Sequence, residues 1–246
     1  MKKILCIGNS FSCDATRYLY QMAHSAGEEL RIANLYIGGC PLVRHAFNAQ
    51  ARSRDYELYF NGFATGFMVS SHEALLSDEW DFITLQQASG KSFDWDSYQP
   101  YLTIMQDYLR LFGKKAEIVV HQTWGYENGF ERLERFGFAD HDEMFEKVRV
   151  CYDKMADFLG ARIIPSGRAV QLACDANAAQ MHRDGYHLTK GAGRYTAAAV
   201  WMETLLGIPA EASTFRDFDE EIPEELLPVL NGFVHQAVAE YRKAEE

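Results

Sequence analysis

Short apolar runs alternate along the chain with segments in which apolar residues recur at helical spacing. Lys3–Gly8 is the first such run, and Asp14–Ala26 follows with Ala15, Tyr18, Leu19, Met22 and Ala26 on one helical face. The pattern predicts strand, loop, helix. Leu30–Ile37 is a second strand, closed by Gly38-Gly39 and Pro41, and Val43–Ala51 a short helix. Tyr56–Val69 carries two apolar and aromatic runs around Asn61-Gly62, which predicts a β-hairpin, taken as a small insertion off the main sheet. Ser70, Ser71 and Glu73 form a cap before a helix over Ala74–Leu76. Further strands are expected at Trp80–Leu85, Glu117–His121 and Ala161–Pro165. Helices are expected at Tyr98–Phe112, Asp142–Leu159, Ser166–Cys174 and Lys190–Leu206, with one or two more over Glu220–Lys243. Between them, Gln122–Phe138 shows no clear period, and an irregular connection of that length in a compact domain is usually functional or lid-like. Strands alternating with helices, with no repeat and no linker, imply a single α/β domain over residues 1–246 around a mainly parallel sheet.

Composition narrows what such a domain could meet. With 246 residues, 48% hydrophobic and 24% charged, the chain has the makeup of a globular protein. Its 24 Lys and Arg against 35 Asp and Glu give a formal charge of −11, which repels a phosphate backbone and an anionic bilayer. Neither a nucleic acid nor a membrane is expected as a partner. The apolar run at the N-terminus is shorter than the roughly 7–15 residues of a secretory signal. A cytoplasmic setting is therefore expected. Cys6, Cys13, Cys40, Cys151 and Cys174 show no metal-binding or redox spacing and read as free, mostly buried thiols.

In a parallel sheet flanked by helices, ligands bind beyond the carboxyl ends of the strands. The polar residues that follow each strand are Gly8-Asn9-Ser10-Phe11-Ser12, Gly38-Gly39-Cys40, Gln86-Gln87-Ala88-Ser89 and His121-Gln122-Thr123-Trp124. Asp184-Gly185-Tyr186-His187, just before the Lys190 helix, is one more. Ser10 would stand at the sheet edge in the turn that Gly8 permits, a position suited to a nucleophile; taken alone, the segment is also what a helix cap looks like. Asp184 and His187 are three apart, so a turn can bring the carboxylate to one ring nitrogen and leave the other for Ser10. A surface histidine beside the next helix is the plainer alternative.

Together these blocks resemble the SGNH (GDSL-type) hydrolase superfamily in order and spacing, from Ile4 to roughly Leu206. The resemblance implies a three-layer α/β sandwich with Ser10 as nucleophile, His187 as base and Asp184 as its orienter. It further implies that the backbone N–H groups of Ser10 and Gly39, with Gly38 the rival, form an oxyanion hole, and that no metal or cofactor is needed. The chain departs from the pattern twice. Asn9 stands where the family has aspartate, and Leu85-Gln86-Gln87-Ala88-Ser89-Gly90 stands where the family has an Asn-containing block. A glutamine amide offers the same donor on a longer stem, so Gln87 or Gln86 is expected to serve, with Ser89 the weaker choice. Strand alternation sends the two glutamines to opposite faces. The Gln86–Ser89, His121–Tyr126 and Ile164–Gly167 segments also resemble a bacterial branch of the superfamily known as a domain of unknown function.

The expected activity is that of a serine esterase removing an acyl group, an acetyl from a carbohydrate by family habit, through an acyl-enzyme. Gln86, Ser89, Trp124 and Tyr126 are expected to contact the substrate, and Phe11, Trp95 and Phe130 to line the cleft. Three rivals stand beside this reading. The first glycine loop matches neither dinucleotide nor P-loop fingerprint. His182, Asp184 and His187, and likewise Asp140, His141 and Asp142, lie close in sequence but lack a recognised metal-ligand spacing. A glycan-binding module that kept the fold without activity would account for the altered third block, though not for Ser10, Asp184 and His187.

Overall fold

The computed structural model describes residues 1–242, and Lys243, the last residue of the expected C-terminal helix, lies outside them. Element by element the chain runs β1 (Lys2–Gly8), α1 (Ser10–Thr16), α2 (Leu19–Ser25), β2 (Leu30–Tyr36), α3 (Leu42–Ala51), β3 (Tyr56–Phe60), β4 (Phe63–Val69), α4 (Ser71–Ser77) and β5 (Phe82–Leu85). It continues through α5 (Tyr101–Phe112), β6 (Glu117–His121), α6 (Glu131–Arg135), α7 (His141–Leu159), β7 (Ile163–Ile164), α8 (Ser166–Asp175), α9 (Ala192–Leu206) and α10 (Leu226–Arg242). The seven strands form one sheet in the order β4-β3-β2-β1-β5-β6-β7.

β1 pairs in parallel with β2 on one side and β5 on the other, and β6 and β7 continue the parallel run. Ile4, Leu5, Cys6 and Ile7 are all buried, as a strand covered on both faces requires. One layer of helices gathers α1, α2, α8 and α10 around α9, while α3, α4 and α5 pack together in another. The result is the expected α/β sandwich. The hairpin forms as expected, but it is not an insertion off the main sheet. β3 pairs antiparallel with β2, so β3 and β4 extend the sheet and make its edge. Its exposed Phe60, Phe63, Phe67 and Met68 give it too little burial to stand as a separate layer.

Several boundaries shift for local reasons. The first helix begins at Ser10, four residues earlier than the periodicity predicts, because Asn9 caps it by accepting from the Phe11 N–H at 3.0 Å. It then breaks, and α2 starts at Leu19. Pro165 occupies the cap position of α8, and the Ser166 hydroxyl that follows it is buried without a partner. α4 carries the expected capping box between Ser70 and Glu73. All five cysteines are free, with burial pushing the Cys6 and Cys40 thiols up to about 12. Among the described residues, no helix is long and apolar enough to cross a membrane.

Candidate active site

The chain leaves β1 for β2 on one side and later returns to β5 on the other, so β1 and β5 flank the point where the topology reverses. That is where a doubly wound sheet opens a crevice at its carboxyl edge. Ser10 follows β1 there and Ser89 follows β5. Both line a cavity of about 710 Å³ whose wall also includes Gly39, Tyr126, Tyr186 and His187.

Ser10 Oγ lies 2.8 Å from His187 Nε2, and His187 Nδ1 lies 2.8 Å from Asp184 Oδ2. These separations are within the range a nucleophile, a base and its orienter require. Asp184 also accepts from the backbone N–H of His187 at 2.8 Å and of Tyr186 at 3.3 Å. Partial burial pushes the Asp184 carboxyl upward, but the His187 ring and these two amides outweigh it and hold it below the ordinary carboxylate range. An ionised Asp184 fixes the His187 tautomer with its proton on Nδ1, leaving Nε2 to accept from Ser10.

The turn that carries this pair is tightly built. Gly185 sits at φ +87°, and a Cβ there would lie 2.3 Å from the Phe130 ring, so a side chain is excluded on both counts. Phe130 in turn stacks on Tyr186, and the Tyr186 ring lies 4.0 Å from that of His187. On its other side, the His187 ring meets the edge of Phe11 at 5.7 Å. Gly39, at φ +60°, lines the cavity in a left-handed conformation that glycine adopts freely.

Beneath the turn lies Asp14, one helical turn after Ser10 and buried. Its carboxylate binds Arg183 Nη1 at 2.9 Å, Arg194 Nε at 2.8 Å and the Leu188 N–H at 3.2 Å. A single buried anion thus ties α1, which carries Ser10, to the segment that carries His187. Sequence reasoning took Asp14 only for a helix start. Its one available signal was spacing, four residues from Ser10 and hence on the same helical side.

A second buried chain organises the other side. Asn9 Nδ2 donates to the Cys40 carbonyl at 3.2 Å, Gln86 Nε2 donates to Asn9 Oδ1 at 3.0 Å, and His121 Nδ1 is 2.7 Å from Gln86 Oε1. Burial drives the His121 pKa down to about 3, so the ring is neutral and Nδ1 is the donor. Asn9 therefore links the first block to the loop that bears Gly39, which is the work done at the position where the family pattern has aspartate.

Three expectations are corrected here. Gln87 is not free to donate into the cavity. Its Oε1 accepts from the Leu42 and Ala88 N–H groups at 2.9 Å each, its Nε2 donates to Ser97, and none of its surface is exposed. Gln86 is equally committed, between Asn9 and His121, and neither glutamine lines the cavity. Trp124 is fully buried: it stacks face to face on Phe11 at 4.3 Å and donates to the Tyr186 carbonyl at 2.7 Å, buttressing the site from behind. Ser89 and Tyr126 do line the cavity, joined by a 3.0 Å hydrogen bond between their hydroxyls. Of the metal rival, His182 bonds the Gly125 carbonyl, and burial lowers its pKa to about 4. Asp140 caps α7. Among the described residues no group of three or more His, Cys, Asp and Glu side chains is placed to hold a metal ion.

A seven-stranded sheet in this order, with Ser10, His187 and Asp184 hydrogen-bonded at its switch point, gives the class: an α/β protein whose fold is shared with solved SGNH hydrolases. Within that class, residues 3–222 match the model of the domain of unknown function DUF4886, and the chain belongs to that family. A DUF4886 protein from Bacteroides uniformis is 32% identical, with a TM-score of 0.83 over 97% of this chain and 93% of its own. A putative SGNH hydrolase from Slackia heliotrinireducens is 23% identical, with a TM-score of 0.59 over 83% and 98%. An Axe2 acetyl xylan esterase variant from Geobacillus stearothermophilus shares 14% identity and a TM-score of 0.53 over 82% and 93%. No curated protein matches the chain.

Proposed function

We propose that this protein is a serine ester hydrolase that cleaves acyl esters, acetyl groups on carbohydrates among them, through an acyl-enzyme. The observation that carries the reading is the continuous hydrogen-bonded path from Ser10 Oγ through His187 to Asp184, open to a cavity at the topological switch point. His187 Nε2 takes the proton as Ser10 Oγ adds to the ester carbonyl. The tetrahedral intermediate then collapses, and the same nitrogen protonates the departing alcohol. Water, deprotonated by His187, attacks the acyl-Ser10 ester; as the second tetrahedral intermediate collapses, His187 returns that proton to Ser10 Oγ and the acid leaves. Asp184 keeps its negative charge throughout and stabilises the imidazolium.

The backbone N–H groups of Ser10 and Gly39 are assigned to the developing oxyanion. With Gln86 and Gln87 committed elsewhere, the third donor falls to Ser89. When the Tyr126 hydroxyl donates to Ser89 Oγ, the serine's own proton is free to point into the cavity. The acetyl-carbohydrate part draws on the aromatic wall formed by Tyr126 and Tyr186 and on the fold shared with the acetyl xylan esterase.

The test is hydrolysis of 4-nitrophenyl acetate and acetylated xylo-oligosaccharides by wild type and Ser10→Ala. Loss of a triad serine costs about 10⁶-fold in kcat, so turnover should vanish while the melting curve stays in place. Equal residual rates in the two proteins would remove Ser10 from the chemistry and the reading with it.

A further inference from the structure

The protein carries a formal charge of −11, yet among the described residues no aspartate or glutamate lines the cavity in front of Ser10. Its charged wall is Lys91, Arg132, Arg135 and Arg183, with His187. Arg183 is answered by buried Asp14. Among the described residues, Lys91, Arg132 and Arg135 make no ion pair, and no carboxylate accepts from their side chains. Glu131 stands four residues before Arg135, the spacing at which a helix normally pairs opposite charges, but the arginine lines the cavity instead. Arg132 is held with its guanidinium carbon 4.9 Å from the Tyr186 ring centre and 5.7 Å from that of Phe130. That stacking fixes the planar group beside the aromatic wall and next to the Tyr126 hydroxyl, which it also reaches, and a guanidinium's five N–H donors leave others for an incoming acceptor.

We propose that Lys91, Arg132 and Arg135 form an anion-recognising mouth, and that the natural substrate is an ester whose molecule also bears a carboxylate or phosphate. This rests on the esterase reading and names the substrate class of the same site. A cleft of one sign with apolar walls concentrates the field and draws in ligands of the opposite charge. With a net charge of −11 over the whole chain, this local group of cations beside Ser10 is what would favour an anionic substrate there. Two arginines and a lysine supply the forked and point-charge donors that carboxylates and phosphates take.

The experiment uses ester pairs that differ only in charge. On the alcohol side, 4-acetoxyphenylacetate is set against 4-acetoxyphenylacetamide; on the acyl side, mono-4-nitrophenyl adipate is set against its terminal amide. Acetyl esters of a sugar phosphate and of the parent sugar form the phosphate arm. Background is taken from Ser10→Ala. Exposed cationic contacts contribute modestly one by one, so wild type should favour the anionic member of at least one pair by about tenfold in kcat/KM, and added salt should erode that preference. The ratio should fall to about one in Lys91→Gln/Arg135→Gln/Arg132→Gln. Since Arg132 also packs on Tyr186, the exposed double variant Lys91→Gln/Arg135→Gln is measured beside it and should show a partial fall. Ser10-dependent hydrolysis with equal rates for charged and neutral twins, or a preference that neither variant reduces, overturns the mouth and leaves the esterase standing. If no ester is cleaved in a Ser10-dependent way, the esterase reading fails and the substrate class falls with it.

Discussion

Two cavities of similar size differ in how their charges are answered. One, of about 800 Å³, lies against α7, α8 and α10 and is rich in Asp, Glu and Arg. There Arg149 reaches Glu146 and Asp153, and Arg168 reaches Glu240, while Arg162 turns to Glu117 on β6. The other, about 710 Å³, lies at the switch point, with its serine and histidine bonded to each other and with three cations that no carboxylate among the described residues answers. The larger hollow is a seam in which α8 is clipped to α10 through Arg168 and Glu240 and to α7 through Gln171 and Asp142. Charges that answer one another bind nothing new, whereas cations held in place without a counter-charge are set toward an anionic ligand. Size does not separate the two; the pairing of their arginines does.

The difference has measurable consequences, of which the largest concerns Asp14. Replacing it with alanine removes the common acceptor for Arg183, Arg194 and the Leu188 N–H. Loss of one partner from a buried charge pair costs roughly 3–5 kcal/mol, and partial exposure of the arginines places this case near the lower end. Asp14→Ala should therefore lower stability by about 3 kcal/mol in a urea titration. Because the His187 segment loses its tether to α1, kcat should fall as well. Unchanged kcat would mean that His187 is positioned without Asp14.

Gln87→Ala comes next. It leaves the Leu42 and Ala88 N–H groups without their acceptor, at a cost of about 1–3 kcal/mol. A folded variant should keep kcat/KM within about twofold. A selective fall of 10²-fold or more in kcat would return Gln87 to the oxyanion hole, since that is the usual loss for one such donor.

What could be read from the sequence followed from local chemistry. Buried runs marked β1, β2, β5 and β6 because a strand covered on both faces shows mostly apolar side chains; Ser10 stood out by its position after β1, and Asp184 and His187 by their three-residue spacing before the Lys190 helix. The side-chain partners of Gln86, Gln87 and Trp124 were not legible. All three lie at the correct sheet edge, yet whether an amide or an indole turns toward solvent or core depends on segments distant in sequence: Asn9 and His121 for Gln86, Leu42 and Ser97 for Gln87, Phe11 and Tyr186 for Trp124. The hairpin was legible from Asn61-Gly62, but its docking on β2 was not, because antiparallel pairing with a parallel strand leaves no period of its own in the chain. Likewise the cationic mouth joins Lys91 to residues of α6, which nothing in either stretch announces alone.

Arg149→Gln, in the seam of the larger cavity, should have the smallest effect. Its two ion pairs, to Glu146 at 2.6 Å and Asp153 at 2.9 Å, are half open to solvent, where such pairs contribute about 0–1 kcal/mol each. The two carboxyls respond differently to the same guanidinium. Hydrogen bonding to Arg149 holds Glu146 below its ordinary range, while burial pushes Asp153 up despite Arg149. A depressed carboxyl pKa stabilises the fold above its unfolded-state value, and that stabilisation is lost as pH falls through the folded-state value. The small deficit of the variant at neutral pH should therefore shrink in acid, as Glu146 is protonated in both proteins. Its preference for anionic over neutral esters should match wild type, because the arginine it lacks was already answered by carboxylates. If thermal melts at neutral and acidic pH show this pattern and the ester ratio holds, the seam is structural. Loss of the anion preference in Arg149→Gln would place anion recognition in the larger cavity and end the distinction drawn between the two.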